Sequence, residues 1–463
     1  EGEGEDDDEG EFALVLDLDF SATQAVTPDE AEPEVEPEVV PRSSYKRRET
    51  IPGLYPENTG MFVGKGIWAG TPDRRFTLRM SGFVHLDTRF SANLGGGGGG
   101  DAQVFIRRAR FTLDGRLWGQ LEYRAMWDQL VDPLVPYDFH VDWRPIPEFN
   151  IRVGGFKSPF GIERRGRSYA LLFLERGMPT TLAPNRDMGL FFYGQTREGF
   201  FSYDVAMVSG AEDLATRYGF NGSPDFAGRV YFQPFRLGKD SGHFPMLQNF
   251  GVGFSWTVGA EFGTEEDPRL GWVRPMPRRS AYAGRLLFQY LSDDVGTTVA
   301  QGLRDRQSIH SSWHHGRFQT LFEYTRSAST VARGSSEDTE LPLHKAYLAH
   351  HAWQGVFSVN LSGDDNTFFG VNPARPLDLS KGHWGSATAS FRYHELYIDR
   401  AAFPQFADPE LWARTIRAVG TSLQWHINYR MEAQLELEYM VPNGSALELP
   451  PDFAVMTRLE VRY

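Results

Sequence analysis

From Phe76 the chain alternates. Phe76, Leu78, Met80, Val84, Leu86 and Phe90 fall on one parity, and Thr77, Arg79, Ser81, His85, Asp87 and Arg89 on the other. A period of two over this length predicts a strand longer than those of ordinary globular domains. The pattern returns near the end of the chain. Met431, Ala433, Leu435, Leu437 and Tyr439 alternate with Glu432, Gln434, Glu436 and Glu438. Val419, Leu423, Trp425, Ile427 and Tyr429 alternate with Ala418, Gly420, Gln424, His426 and Asn428. Tyr282, Leu286, Phe288 and Tyr290 oppose Ala283, Arg285 and Gln289, and Phe318, Phe322 and Tyr324 oppose Gln319 and Glu323. Sixteen or seventeen such segments, parted by Gly, Pro, Asp and Asn, lie between 74 and 463, and helical periodicity is confined to 163–176. Strands in such number predict a closed antiparallel barrel.

The polar parity carries Arg, Glu, Asp, Gln, His and Asn. A soluble sandwich would bury these groups at prohibitive cost. A membrane barrel inverts the arrangement, with apolar residues toward lipid and polar ones toward a wet lumen. The pattern therefore predicts an all-β transmembrane antiparallel barrel, and the even strand number of single-chain barrels makes it sixteen. An aromatic content of 14% suits interfacial girdles. Phe453, Val455, Leu459, Val461 and Tyr463 share one parity. This resembles the terminal strand by which outer-membrane barrels are recognised for assembly.

Two stretches stand apart. Ile151, Val153 and Gly155 alternate as a strand until Lys157-Ser158-Pro159-Phe160-Gly161 breaks it. A segment with Arg164, Arg165, Arg167, Glu175, Arg176 and Arg186 follows, and Met188–Gly194 reads as a strand again. A loop of about 25–30 residues is longer than a compact domain tolerates without a purpose, so it is expected to fold into a site or a pore. The second stretch, 104–128, reads as a hairpin: strand Val104–Asp114, a turn at Gly115, then strand Trp118–Asp128. Alternation puts Arg108 and Arg110 on one face and Arg107 on the other, so all three serve the lumen only if a bulge re-aims one.

RRARFTLDGRLWGQLEYRAMWD, VGGFKSPFGIERRGRSYALLFLERGMP, NRDMGLFFYGQ, FSYDVAMVSG, AGRVYFQPF and SGDDNTFFGVNPARPLDLSKGHWGSATASFRYHELYI occur in this order. Together they resemble the phosphate-selective porin O/P family of Gram-negative outer membranes, from about residue 76 to 463. The resemblance implies a trimeric barrel of sixteen strands, a loop folded into the lumen, and Arg and Lys residues leading anions to a constriction. By motif position Arg107, Arg108 and Arg110 match the double-Arg strand, Asp128 the acidic residue ending the next strand, and Lys157 the lysine of the FK-x-PFG turn. With Arg164, Arg165, Arg167 and Arg176 they form the expected pore-lining, anion-binding set. Two features depart from the pattern: Gly95–Gly100 lengthen the first connection, and Glu432, Glu436 and Glu438 oppose an anion path.

Charge divides the chain. The net charge is -14, yet residues 1–41 hold sixteen Asp and Glu and no Lys or Arg, leaving 47 basic against 45 acidic residues beyond them. Residues 1–41 are an acidic Pro/Glu-rich segment with an apolar patch at Phe12–Phe20, 42–73 a basic Gly/Pro linker, and 74–463 the barrel. The start at Glu1 without Met suggests a mature form. No apolar run approaches the roughly 18 residues of a membrane helix, and there is no Cys for a disulfide or thiolate site.

Catalytic, metal and cofactor signals are weak. His314-His315 and His350-His351 are adjacent on strands and point to opposite faces. Asp364-Asp365-Asn366 lacks the spacing of a calcium loop. Ser311 and His315 share a face but lie ~13 Å apart. The sequence therefore predicts no enzyme, no cofactor and no nucleic-acid partner. It predicts an outer-membrane porin for passive diffusion of small anions, phosphate or polyphosphate among them. Its expected partners are outer-membrane lipid, two further copies of itself, and an envelope component for residues 1–41. The alternative is a structural or docking barrel whose acidic N-terminal region binds that component.

Overall fold

A computed structural model describes residues 60–64, 66–93, 101–128, 136–197, 199–210, 223–236, 245–270, 287–294, 296–334, 344–368, 370–444 and 449–463. The acidic segment 1–41, most of the basic linker and the glycine run Gly95–Gly100 lie outside these residues.

Sixteen strands form the wall. They are β1 (Thr77–Asn93), β2 (Asp101–Leu117), β3 (Leu121–Asp128), β4 (Pro136–Ile146), β5 (Phe149–Lys157), β6 (Arg186–Gln195), β7 (Phe201–Val208) and β8 (Asp225–Phe232). Then come β9 (Gly251–Phe262), β10 (Val299–His315), β11 (Phe318–Arg333), β12 (His344–Asn360), β13 (Ser386–Tyr397), β14 (Thr415–His426), β15 (Met431–Asn443) and β16 (Asp452–Arg462). Each pairs antiparallel with its neighbour in sequence, and β16 closes on β1 from Asp452 opposite Asn93 to Arg462 opposite Phe83. Closure leaves no edge within the wall, as a bilayer requires. A hairpin of Gly60–Gly64 and Gly66–Gly70 adds to the start of β1, where Ile67 faces Met80.

The burial pattern is the inverse of a soluble protein's. Leu86 and Phe90 are 42% and 46% exposed on β1, whereas His85, Asp87 and Arg89 between and beside them are 0%, 4% and 7% exposed. The same holds on β11, where Phe318 and Phe322 face out and Gln319 and Glu323 are buried. Apolar side chains face the lipid side, and the polar parity faces the lumen.

Part of the lumen is filled by an apolar core. Val331, Leu348, Ala352, Leu396, Ile416 and Met440 point inward from β11 to β15, and Met178, Leu182, Leu287, Phe288, Ile398 and Phe406 come down on them from connecting segments. This corrects one expected strand. The alternation around Phe288 and Tyr290 belongs to an irregular segment; Phe288 sits edge-on to Tyr290 at 5.1 Å, and the Tyr290 hydroxyl lies 2.8 Å from His350 Nε2. Its partners Tyr282 and Leu286 lie outside the described residues. The hairpin also differs slightly from expectation: β2 runs on through Gly115 to Leu117, so the turn falls at 118–120.

Residues 163–176 form no α-helix. Only the 3-10 turns Ser168–Ala170 and Met178–Thr181 interrupt an otherwise irregular course between β5 and β6. This loop crosses the lumen, and its backbone groups bond partly to side chains of the wall and partly within the loop itself.

Candidate pore constriction

The β1–β2 register places His85 opposite Arg108 and Leu86 opposite Ile106, so Arg107 is an extra residue. That bulge turns Arg107 to the same side as Arg108. Both meet Glu175 of the loop: Arg107 Nε donates to Oε1 at 2.7 Å, and Arg108 Nη2 donates to Oε2 at 2.9 Å. Arg458 of β16 stands 3.7 Å from the same carboxylate and binds Asp87 through two bonds of 2.7 Å. Burial alone pushes the Glu175 carboxyl up. The guanidinium groups of Arg107, Arg108 and Arg458 outweigh it and hold the carboxyl well below the usual carboxylate range.

An extended segment inside a barrel has amides and carbonyls with no ladder to join, and they must find other partners. Here the opposite wall supplies them. Gln424 of β14 donates to the Leu171 carbonyl at 2.9 Å, and Gln434 of β15 to the Leu172 carbonyl at 3.0 Å. Arg458 of β16 and Arg392 of β13 donate to the carbonyls of Leu174 and Glu175, each at 2.8 Å. The Leu174 amide donates to Glu436 of β15 at 2.6 Å. Four adjacent strands thus hold residues 171–175 as a track.

The loop's start is fixed on another sector. The Gly161 amide donates to Ser255 of β9 at 3.1 Å and the Ile162 amide to Glu323 of β11 at 3.0 Å. Gly161 takes φ +64, and a Cβ there would collide with Glu323 Oε1, so the Pro-Phe-Gly turn needs its glycine. Glu163 gathers the loop on itself. It accepts from the Gly177 amide at 2.8 Å, from Thr180 Oγ1 at 3.2 Å and from Gln354 of β12 at 2.9 Å.

The sequence of the barrel's first eight strands carries a family match. Residues 78–234 match the phosphate-selective porin O and P family. The matched span runs from β1 to the end of β8 and contains the loop and the bulge. No curated protein matches the chain. Among solved structures, OmpF of Salmonella typhi in complex with daunomycin superposes with a TM-score of 0.50 at 10% identity, over 84% of this chain and 99% of that one. The outer membrane channel DcaP of Acinetobacter baumannii gives 0.50 at 8% identity, over 84% and 97%. These two likenesses are of fold, that of an outer-membrane barrel, and the porin O and P match gives the family resemblance over β1–β8.

The expected anion-binding residues divide into three groups. Arg107 and Arg108 converge on Glu175. Arg110 donates to Asp128 and to Ser168 of the loop, both at 3.0 Å, and lies over the Tyr137 ring at 4.3 Å. The third group binds the loop's own backbone or the near wall. Lys157 Nζ donates to the Gly166 carbonyl at 2.7 Å, and Arg164 Nη2 to the Thr180 carbonyl at 2.7 Å. Arg176 Nη2 donates to the Gly166 carbonyl at 2.9 Å, and burial lowers its pKa from the ordinary arginine value. Arg165 pairs with Asp204 of β7, and exposed Arg167 reaches Tyr169 at 2.6 Å. Arg186 of β6, also noted in the sequence, pairs with Asp138 at 2.6 Å.

Sequence reasoning missed the residues that fix the loop's course: Glu163, Ser255, Glu323, Gln424, Gln434, Arg392 and Arg458. For those on the wall the only signal was membership of the polar parity, which they share with many others, and Glu163 is one acidic residue in an irregular loop. Glu436 and Glu438, read as opposing an anion path, are occupied. Glu436 takes the Leu174 amide, and Arg392 pairs with Glu438 at 2.9 Å.

Proposed function

We propose that the protein is an outer-membrane porin through which small anions, phosphate among them, diffuse passively past the inward loop, in an assembly of three copies. The observation that carries this reading is the set of guanidinium groups left partly accessible on the loop and on the lumenal face of β4 and β5. Arg167 is exposed and Arg165 is 34% exposed on the loop, while Arg144 and Arg152 are 36% and 19% exposed on β4 and β5. Arg144 and Arg152 each bind Asp142, at 3.0 and 2.7 Å, and Arg144 also binds Glu122 at 2.9 Å. A guanidinium has five N–H donors, so a carboxylate on one edge leaves others for a passing anion. Such an anion exchanges part of its hydration for charge-assisted bonds, and the neighbouring carboxylates keep each stop weak enough for release.

The test is a planar bilayer with a KCl gradient. The reading expects ion-conducting steps and a zero-current potential on the anion side, moved toward cations by R165E/R167E. A potential on the cation side for the native chain would overturn it.

One observation favours the second reading, a docking barrel. Arg392, His394, Gln354 and Ser358 on β12 and β13 have no solvent exposure, so that sector of the lumen is closed. An absence of conducting steps in the same bilayer would support a barrel whose acidic segment 1–41 engages an envelope component.

A further inference from the structure

The lipid-facing surface is not uniform. Beside β16 and β1 the outward positions are apolar as far as Phe90 and Val455, with Thr88 and Thr457 bonded to each other at 2.7 Å. On β10 to β14 the outward parity carries charge instead. Arg326 of β11 donates to Asp305 of β10 at 2.8 Å, and Tyr347 of β12 also binds Asp305. Arg417 of β14 pairs with Glu395 of β13, which accepts from Trp353 Nε1 at 3.2 Å. Lys345 is exposed farther along β12. Register aligns these groups in two adjacent rungs: Arg326 faces His351 and His351 faces Tyr397, while Trp353 faces Glu395 and Glu395 faces Arg417.

The rungs lie at the head of the β13–β14 hairpin, toward the end of the barrel opposite the C-terminus. A charge on a lipid face is destabilising in proportion to its depth, so this level belongs to headgroups. Below it the same strands present Phe318, Phe322, Phe357 and Phe391. Phe318 stacks with Phe357 at 6.2 Å, a surface suited to acyl chains.

We infer that the outward face of β11 to β14 binds a glycolipid of the outer leaflet that carries two phosphates. Each guanidinium holds a carboxylate on one edge, and Arg417 is 52% exposed, so further N–H donors face outward. Phosphate is the anion that such forks recognise. Arg326 and Arg417 are three strands apart, about 14 Å at ordinary strand spacing. One phosphate cannot span that gap; two phosphates on a disaccharide can. The cations outnumber the carboxylates by Lys345, which adds to the preference for an anionic headgroup.

The experiment is native mass spectrometry of the full chain in detergent, with three added probes: a bis-phosphorylated acylated disaccharide, its dephosphorylated form, and phosphatidylglycerol. The inference expects retention of the first alone, at one molecule per chain. R326A/R417A should retain it roughly tenfold less, with K345A intermediate. Heat-modified gel mobility confirms that each variant is a closed barrel, and single-channel conductance should not move, since these residues face away from the lumen. Equal retention by native and variant chains would overturn the inference. Equal retention of phosphatidylglycerol would overturn the two-phosphate assignment. Cross-linking between copies through cysteines at 326 and 417 would make the face an interface between chains and also overturn it.

Discussion

Arg108 on the wall and Glu175 on the loop meet through two hydrogen bonds of 3.1 and 2.9 Å from one Nη2 atom. The pair joins β2 to a point 67 residues downstream, and Arg107 reaches the same carboxylate only because the strand bulges beside it. This junction is one of the points that hold the loop to the wall.

E175Q keeps the shape and removes the charge that Arg107, Arg108 and Arg458 share. Breaking a buried pair costs about 3–5 kcal/mol, because the remaining charges are left uncompensated. The variant is expected to close as a barrel with a loosened loop, seen as open-channel noise and faster proteolysis within 164–176. Native-like noise and proteolysis would show that Glu175 does not secure the loop.

The pH response follows from the depressed Glu175 carboxyl. A carboxylate whose pKa is lowered by folding stabilises the folded arrangement at every pH above its unfolded value, about 4.3. That contribution is lost as pH falls through its own lower value. The part of the channel noise that Glu175 controls should therefore stay flat from pH 8 to 5 and rise only in strong acid, and E175Q should be noisy throughout. A native transition between pH 5 and 7 would assign control of the loop to another group.

G161A puts a methyl group against Glu323 in a left-handed backbone conformation. The conformation alone costs roughly 1–2 kcal/mol, and the contact adds to it. The expected result is a lower melting temperature and a displaced loop start, read from labelling of a cysteine at 162. Unchanged melting and labelling would count against the Pro-Phe-Gly turn as a fixed point.

Cysteines placed along the loop should label unevenly. Arg167 is exposed, while Phe173 and Leu174 are 2% and 1% exposed. A bulky thiol reagent should modify position 167 fast and positions 173 and 174 slowly. Uniform labelling would mean that the loop stands clear of the wall.

F288A removes a fully buried ring from the lumenal apolar core. Phe-to-Ala changes of this kind cost about 3–5 kcal/mol. Thermal stability should fall while ion preference holds, since no charge moves. A shifted zero-current potential would show that this core shapes the ion path.

The wall was readable because one rule governs it. Every strand sees lipid on one side and the lumen on the other, so Leu86 and His85 differ visibly in the sequence. The loop was readable as an interruption, through Lys157–Gly161 and the arginines that follow. Its course was not, because Gln424 and Gln434 look like any other lumenal amides until register brings them to Leu171 and Leu172. Arg107 marks a similar limit. Parity sent it outward, and only pairing with β1 reveals the extra residue. Phe288 and Tyr290 misled because two alternate aromatics fit a pocket as well as a pleat.

The track that holds residues 171–175 carries a consequence for the order of folding. Its donors come from β13 to β16, separated from the loop by 217 to 284 residues. Contacts between such distant parts of a chain form only after the intervening chain has been organised. Completing the narrow point therefore requires β13 to β16, and a chain stopped before β16 would lack Arg458, which donates to the Leu174 carbonyl. A docked loop is thus a certificate of completed closure, issued inside the barrel by the strands that finish it.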